Sequence, residues 1–115
     1  MSYIVYGIKN CDTVKKVLQW LKENNITYEF HDYKSKGITT HKLKSWVSQV
    51  GWEELVNKRG TTWRLLDDAL KLKIVNENTA ISLMEDKTSV IKRPIIELDG
   101  KILAIGFDVE ELEKL

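Results

Sequence analysis

The length and charge of the chain favour one ordinary soluble domain: it has 115 residues, and its 18 basic residues nearly balance its 17 acidic residues. The net charge of +1 gives no reason to expect nucleic acid or a membrane surface as a partner. One cysteine excludes an intramolecular disulfide, and the two histidines lack the spacing of a metal site, so we expect no bound metal.

A β-α-β unit is predicted at the start of the chain. The short apolar run YIVYG, Tyr3–Gly7, is typical of a buried strand. From residue 13 to residue 24, apolar side chains recur at the spacing of one helical face. These side chains are Val14, Val17, Leu18 and Leu21. Residues 26–33, ITYEFHDY, then alternate between apolar and polar side chains, which predicts a second strand, parallel to the first.

A helical block is predicted next, at about residues 39–87. Its first segment, TTHKLKSWVSQVG, places apolar residues on one helical face and ends at Gly51. The segment WEELVNKRG predicts a shorter turn of helix. Two further helices are predicted within TTWRLLDDALKLKI and NENTAISLMED, each preceded by a possible N-cap.

The chain returns to strands near its C-terminus. The segment RPIIELDGKILAI has two apolar runs joined at Asp99-Gly100, which is a strong hairpin signal. The segment FDVEELEKL then predicts a final helix that Asp108 can cap. The whole pattern predicts a single α/β domain over residues 1–115, with a thioredoxin-like fold. We expect a mixed four-stranded sheet and an inserted α-helical subdomain.

The sequence also predicts where the protein acts. Its first ten residues, MSYIVYGIKN, lack the basic start and the long apolar stretch of a secretory signal peptide. No stretch approaches the roughly 18 apolar residues of a membrane span. We therefore expect the protein in the cytoplasm, where thiols are kept reduced.

The only cysteine, Cys11, lies where the first strand gives way to the first helix. A buried, inert side chain is the commonest fate of a free cysteine. In a thioredoxin-like fold, however, this is the position of the reactive cysteine. A helix N-terminus favours the thiolate, so we expect a catalytic Cys11 with a lowered pKa. The carboxylate of Asp12 opposes this effect, while the peptide N–H groups near Asp12 and Thr13 would stabilise developing negative charge.

The only proline, Pro94, opens the predicted third strand within VIKRPII. A proline at this point faces the active cysteine in thioredoxin-like proteins, which would direct the preceding Arg93 towards the thiol. The Arg93 guanidinium could then bind an oxyanion or the carboxylates of a thiol substrate. The alternative is a proline that merely begins a strand, next to a solvated arginine.

A basic turn, NKRGTTWR, carries Arg59 on the helical insertion. Such clusters are usually ordinary solvated surface. If the turn folds over Cys11, Arg59 would instead help to bind an anion there.

Together these motifs resemble the arsenate reductase (ArsC)–Spx family, and they are most similar to its YffB-type branch. The resemblance extends from about residue 3 to residue 111 and is carried by YGIKNCDTVKK, YEFHDYKSKGI, LVNKRGTTWR and IKRPIIELDGKILAIGFD. It implies that Cys11 is the nucleophile and that Arg59 and Arg93 are two of three oxyanion-binding arginines. In the arsenate reductases of this family, glutathione and glutaredoxin resolve the adduct of the cysteine with arsenate.

Two positions depart from the arsenate reductase pattern. Ile105 stands where the resemblance implies a third arginine, and Gly7 stands where it implies a histidine. Each charge-assisted hydrogen bond contributes roughly 1.5–3 kcal/mol, so two arginines should hold arsenate less well than three. The YffB-type resemblance therefore implies a glutathione-dependent thiol oxidoreductase without a bound cofactor. Glutathione would be its co-substrate, and glutaredoxin is a further partner to test.

The Spx branch supplies an alternative function, that of a transcriptional regulator which binds RNA polymerase. Spx regulators carry a Cys-x-x-Cys switch, and Val14 occupies the second position of that motif here. With one cysteine, an intramolecular redox switch is chemically impossible, so such a regulator would act without redox control. A true arsenate reductase is the less favoured third alternative.

Overall fold

The computed structural model describes residues 3–115, which fold into two compact units. The first unit contains the residues up to Lys36 together with Arg93–Leu115, and the second contains Gly37–Lys92. The predicted helical block at about residues 39–87 lies within the second unit. The first unit therefore holds Cys11, Arg93 and Pro94.

A mixed four-stranded sheet forms the centre of the first unit, with the strand order β2-β1-β3-β4. The strands are β1 (Tyr3–Gly7), β2 (Tyr28–Asp32), β3 (Ile95–Leu98) and β4 (Lys101–Ile105). Strands β1 and β2 are parallel, whereas β3 is antiparallel to both β1 and β4. The β-α-β and β-β-α order along the chain confirms the predicted thioredoxin-like fold.

One face of this sheet is covered by α1 (Asp12–Glu23) and by α8 (Val109–Leu112), and the short helix α2 (Tyr33–Lys36) follows β2. The apolar stripe predicted for the first helix is largely buried, and fully buried side chains of the sheet pack against it. The resulting core cluster contains Val5, Val17, Leu21, Ile96, Ala104 and Leu112. Burial of one such side chain contributes about 1.5–3 kcal/mol, so this contact fixes the start of α1 beside the end of β1.

The hairpin between β3 and β4 turns at the predicted dipeptide. Asp99 and Gly100 have positive φ angles of 50° and 81°. A two-residue hairpin turn of type I′ requires such angles at both positions, which is why Asp-Gly is favoured there. The prediction of this hairpin is confirmed.

The second unit is helical. Its helices are α3 (Thr40–Val50), α4 (Trp52–Leu55), α5 (Thr61–Arg64), α6 (Asp68–Lys73) and α7 (Glu77–Asp86), followed by a 3₁₀ turn at Thr88–Val90. The single helix predicted for TTWRLLDDALKLKI is corrected to the two short helices α5 and α6. The cause is Asp67, whose side chain accepts a hydrogen bond from the Ala69 N–H and so begins a new helix.

Two further findings concern residues 3–115 as a whole. No helix among them combines the length and the hydrophobicity that crossing a membrane requires. Within the same residues, no group of three or more His, Cys, Asp or Glu side chains is placed to hold a metal ion.

Candidate active site

Cys11 is the N-cap residue of α1, with an extended backbone at φ −135° and ψ 121°. Its side chain is a free thiol and is only partly exposed, so it is neither sealed in the core nor fully solvated. All five β1 residues pair with β2, three of them also pair with β3, and the chain leaves the sheet after Gly7. The sheet and α1 therefore hold the thiol at their junction.

Opposing effects act on the pKa of the Cys11 thiol. Burial is the largest single effect and alone would raise the pKa. The backbone N–H of Val14, the Arg93 guanidinium and the backbone N–H of Thr13 act in the other direction. Together they outweigh burial, and the pKa of Cys11 lies below its ordinary value. These two N–H groups belong to the first turn of α1, where the helix dipole also favours a negative charge.

Arg93 is the charged side chain of this site. It lies two residues before the start of β3, and the Arg93–Pro94 peptide bond is cis. Its guanidinium donates a hydrogen bond to the Cys11 sulfur and adds a favourable charge interaction with the thiolate. Pro94 is buried, and its carbonyl accepts a hydrogen bond of 2.8 Å from the Gly106 N–H. The structure therefore brings together Cys11, Thr13 and Arg93, and Pro94 lies directly before the first residue of β3.

A buried group of polar and aromatic side chains adjoins Arg93. The Tyr6 hydroxyl donates a 3.0 Å hydrogen bond to Oε1 of Glu97, which is 2% exposed. The Tyr33 ring stacks at 6.3 Å from the Tyr6 ring, and the His31 ring lies 4.7 Å from Tyr6. Burial raises the pKa of Tyr33, as do Tyr6 and Glu97, whereas the Arg93 charge lowers it. Arg93 and Glu97 thus both act on the same buried phenol.

Gly7 is closely packed against the first turn of α1. A Cβ at this position would lie 2.8 Å from Cγ2 of Val14 and 3.6 Å from the Phe30 ring. Contacts under 3.0 Å require a neighbour to move, so a histidine here would displace Val14. Packing therefore accounts for the glycine where the family resemblance implies a histidine.

Arg59 lies in the second unit, in a turn with defined local structure. Its backbone N–H donates a 3.2 Å hydrogen bond to Oδ1 of Asn57. The neighbouring Lys58 ammonium lies 5.5 Å from the ring centroids of both Trp52 and Trp63. The role of Arg59 in anion binding stays a prediction, as does the expected contribution of Asp12.

Several residues of the site do not appear among the candidates drawn from the sequence. Val14 could have been found, because an N-cap side chain faces the N–H groups of the second and third helical residues, here Thr13 and Val14. Glu97, Tyr6 and Tyr33 carry no comparable local signal. Their proximity depends on pairing between distant strands.

Comparison with known proteins places these residues in a family. The chain matches the ArsC family over residues 6–115. The chain belongs to the ArsC family. Its thioredoxin-like fold, with Cys11 at the first strand–helix junction, is therefore that of an arsenate-reductase-like protein.

Three relatives illustrate the breadth of this ArsC-family relationship. An uncharacterized protein of Haemophilus influenzae is 50% identical over 109 residues, which cover 95% of this chain and 94% of that protein. The global transcriptional regulator Spx 2 of Bacillus anthracis is 30% identical over 113 residues, covering 96% and 84%. The solved structure of a protein named YFFB has a TM-score of 0.91 at 43% identity, covering 98% and 97%. The chain therefore has both YffB-type and Spx relatives, as the sequence motifs predicted.

Proposed function

We propose that this ArsC-family protein is a single-cysteine thiol oxidoreductase that reduces mixed disulfides with glutathione. The observation that supports it is the partly exposed Cys11 thiol, whose pKa is lowered by Arg93 and by the N–H groups of Thr13 and Val14. The thiolate is the reactive form of cysteine, so these groups increase the fraction of nucleophile at neutral pH.

The reaction takes two thiol–disulfide exchanges. In the first, the Cys11 thiolate attacks the glutathione sulfur of a substrate–glutathione disulfide. That S–S bond breaks, the substrate leaves as a thiolate that takes up a proton, and Cys11 becomes glutathionylated. In the second, the thiolate of a free glutathione attacks this new disulfide, which releases oxidised glutathione and restores the Cys11 thiolate. An external thiol is needed because Cys11 is the only cysteine.

The neighbouring groups have separate tasks in this scheme. Arg93 stabilises the Cys11 thiolate, both as the attacking group and as the leaving group of the second exchange. The N–H groups of Thr13 and Val14 do the same from the helix end. Arg59 is proposed as a further site for substrate or glutathione carboxylates. The scheme needs a reducing compartment that contains glutathione, which agrees with the predicted cytoplasmic location.

Turnover with a glutathione mixed disulfide of a small thiol tests this function. We expect release of the free thiol, dependent on added glutathione, from the wild-type protein. C11S should abolish turnover, and K15A, at an exposed position of α1, is the matched control that should retain it. A C11S protein as active as the wild type would refute the proposal.

The variant R59A tests the role proposed for Arg59 in binding glutathione. We expect R59A to raise the KM for glutathione.

Arsenate reduction is a separate test of the same site. Ile105 ends β4 in place of the family arginine, so we expect little arsenate turnover with glutathione and glutaredoxin. Gain of that activity in I105R would identify the missing arginine as the cause. Efficient arsenate turnover by the wild type would instead make the protein an arsenate reductase.

A regulatory function is the alternative, supported by the 30% identity to the transcriptional regulator Spx 2 over most of the chain. It would operate through binding to RNA polymerase and would not require the thiol. A complex recovered with purified polymerase from both the wild type and C11S would support this alternative. Failure to recover one from either protein would eliminate it.

A further inference from the structure

A buried carboxylate lies on the strand that follows Arg93 and Pro94, and the proposed reaction gives it no role. Glu97 lies in β3 and is the only charged side chain among residues 3–115 that is buried, at 2% exposure. A carboxylate taken out of water is strongly disfavoured unless hydrogen bonds and an opposite charge compensate it. The groups around Glu97 therefore indicate what it does.

Tyr6 supplies part of this compensation. Its hydroxyl donates the 3.0 Å hydrogen bond to Oε1 of Glu97. Burial and the Glu97 carboxylate raise the pKa of Tyr6, so the phenol keeps its proton and remains a donor. One neutral donor cannot balance a full negative charge, so a cation is also required.

Arg93 is the cation that we assign to balancing the negative charge of Glu97. Side chains alternate along a strand, so residues 95 and 97 lie on one face of β3, and Arg93 lies just before this strand. Tyr6 is paired with Ile95 in the sheet and therefore lies on that same face. The Tyr33 hydroxyl, in a side chain that is 2% exposed, is influenced by both Arg93 and Glu97. The buried side chains of Glu97, Tyr6 and Tyr33 thus form one cluster, and the charge of the Arg93 guanidinium, which contacts Cys11, acts on it.

We propose that Glu97 is a positioning residue, whose buried carboxylate holds the Arg93 guanidinium where it contacts the Cys11 sulfur. The inference rests on the proposed function, in which that sulfur is the nucleophile. Glu97 must act through Arg93, because its own negative charge would disfavour the thiolate. The other ionisable groups that face the cluster are Tyr6 on β1, Glu29 and His31 on β2, and Tyr33 after β2.

The variant E97Q separates positioning from simple charge. It keeps an acceptor for the Tyr6 hydroxyl but removes the charge that would hold the guanidinium. If Glu97 positions Arg93, the pKa of Cys11 rises, and alkylation by iodoacetamide at about pH 6 slows roughly threefold or more. If Glu97 acts only as a nearby negative charge, its removal lowers that pKa and speeds alkylation. An unchanged or faster rate in E97Q would overturn the proposal.

The same substitution in an R93M background provides the matched control. Without the guanidinium, Glu97 has nothing to position, so E97Q should cause no further slowing in R93M. Equal slowing of alkylation by E97Q in both backgrounds would show a general structural effect and would refute positioning.

If E97Q does not fold, E97D takes its place. The shorter aspartate keeps the negative charge but moves the carboxylate away from the Arg93 guanidinium. A wild-type alkylation rate in E97D would then count against the proposal.

These measurements are independent of turnover. They compare variants with the wild type, so they report on Glu97 even if no substrate is turned over. Absence of glutathione-dependent turnover would refute the proposed function, whereas a wild-type pH profile in E97Q would refute only the role of Glu97.

Discussion

At the scale of single residues, the reactivity of Cys11 depends on a balance that the sequence allowed us to predict only in part. The helix end and a facing arginine were expected from the strand–helix junction and from the position of Pro94. The helix contribution arises at the N–H groups of Thr13 and Val14. The structure adds that burial opposes these groups, so the lowered pKa depends on close and well-oriented contacts.

Gly7 offers a direct test of this close packing. In G7A the new Cβ would lie 2.8 Å from Cγ2 of Val14, so the first turn of α1 must shift. We expect a loss of about 1–3 kcal/mol in the free energy of unfolding, measured with urea. The pKa of Cys11 should also rise, because the Val14 N–H moves with its side chain.

A second substitution, V14A, tests whether the contact with Val14 causes the loss of stability in G7A. In a V14A background the clash is relieved, so G7A should cost less than it does in the wild type. An equal cost in both backgrounds would mean that Gly7 is required for another reason.

The residues that escaped prediction are those whose environment depends on distant pairing. In RPIIELDG, Glu97 is a single acidic residue within a short apolar run. It is buried because β3 lies inside the sheet beside β1, where it meets Tyr6, 91 positions away in the chain. No local pattern carries that information, since the burial of a strand residue depends on its cross-strand neighbours.

At the scale of elements, caps and turn residues explain which predictions succeeded. The β3–β4 hairpin was predictable because Asp99-Gly100 suits the positive φ angles that its turn needs. The break between α5 and α6 was not predicted, because Leu65 and Leu66 continue an apolar pattern while Asp67 caps a new helix. Leu65 is nevertheless 80% exposed, so apolar character alone was a poor guide there.

The capping box of α7 gives a quantitative prediction for an element. The Asn76 side chain accepts a 3.0 Å hydrogen bond from the Thr79 N–H, and the Thr79 hydroxyl accepts one of 3.2 Å from the Asn76 N–H. N76A should lower the free energy of unfolding by about 1 kcal/mol in urea denaturation. N78A, at an exposed position inside the same helix, is the control and should change it by less than about 0.5 kcal/mol. Equal losses in the two variants would contradict the assigned cap.

At the scale of the whole molecule, the ionisable groups of the first unit give stability a predictable dependence on pH. Burial raises the pKa values of Tyr6 and Tyr33 above the ordinary value of 10.0. A group with a raised folded-state pKa contributes stability below its unfolded-state pKa and loses it as the pH rises. The lowered pKa of Cys11 acts in the opposite sense, with its contribution present above the unfolded-state pKa and lost as the pH falls.

The tyrosine effect predicts a loss of stability above about pH 10. Y33F should reduce that loss, because a phenylalanine cannot ionise. At neutral pH the variant should be at least as stable as the wild type, since the buried Tyr33 hydroxyl has no hydrogen-bond partner within the described chain, residues 3–115. Urea unfolding across a pH series measures both effects, with Y28F on the half-buried Tyr28 as control. An alkaline loss unchanged in Y33F would contradict the assignment.

The pH dependence of Cys11 alkylation tests the central claim most directly, because it measures ionisation of the one sulfur that the proposed reaction uses. We predict an apparent pKa below the free-cysteine value of about 8.5 in the wild type. In R93M the pKa should rise towards that value, with alkylation at about pH 6 slowed several-fold. A wild-type pKa at or above the free-cysteine value, or one that R93M leaves unchanged, would contradict the account.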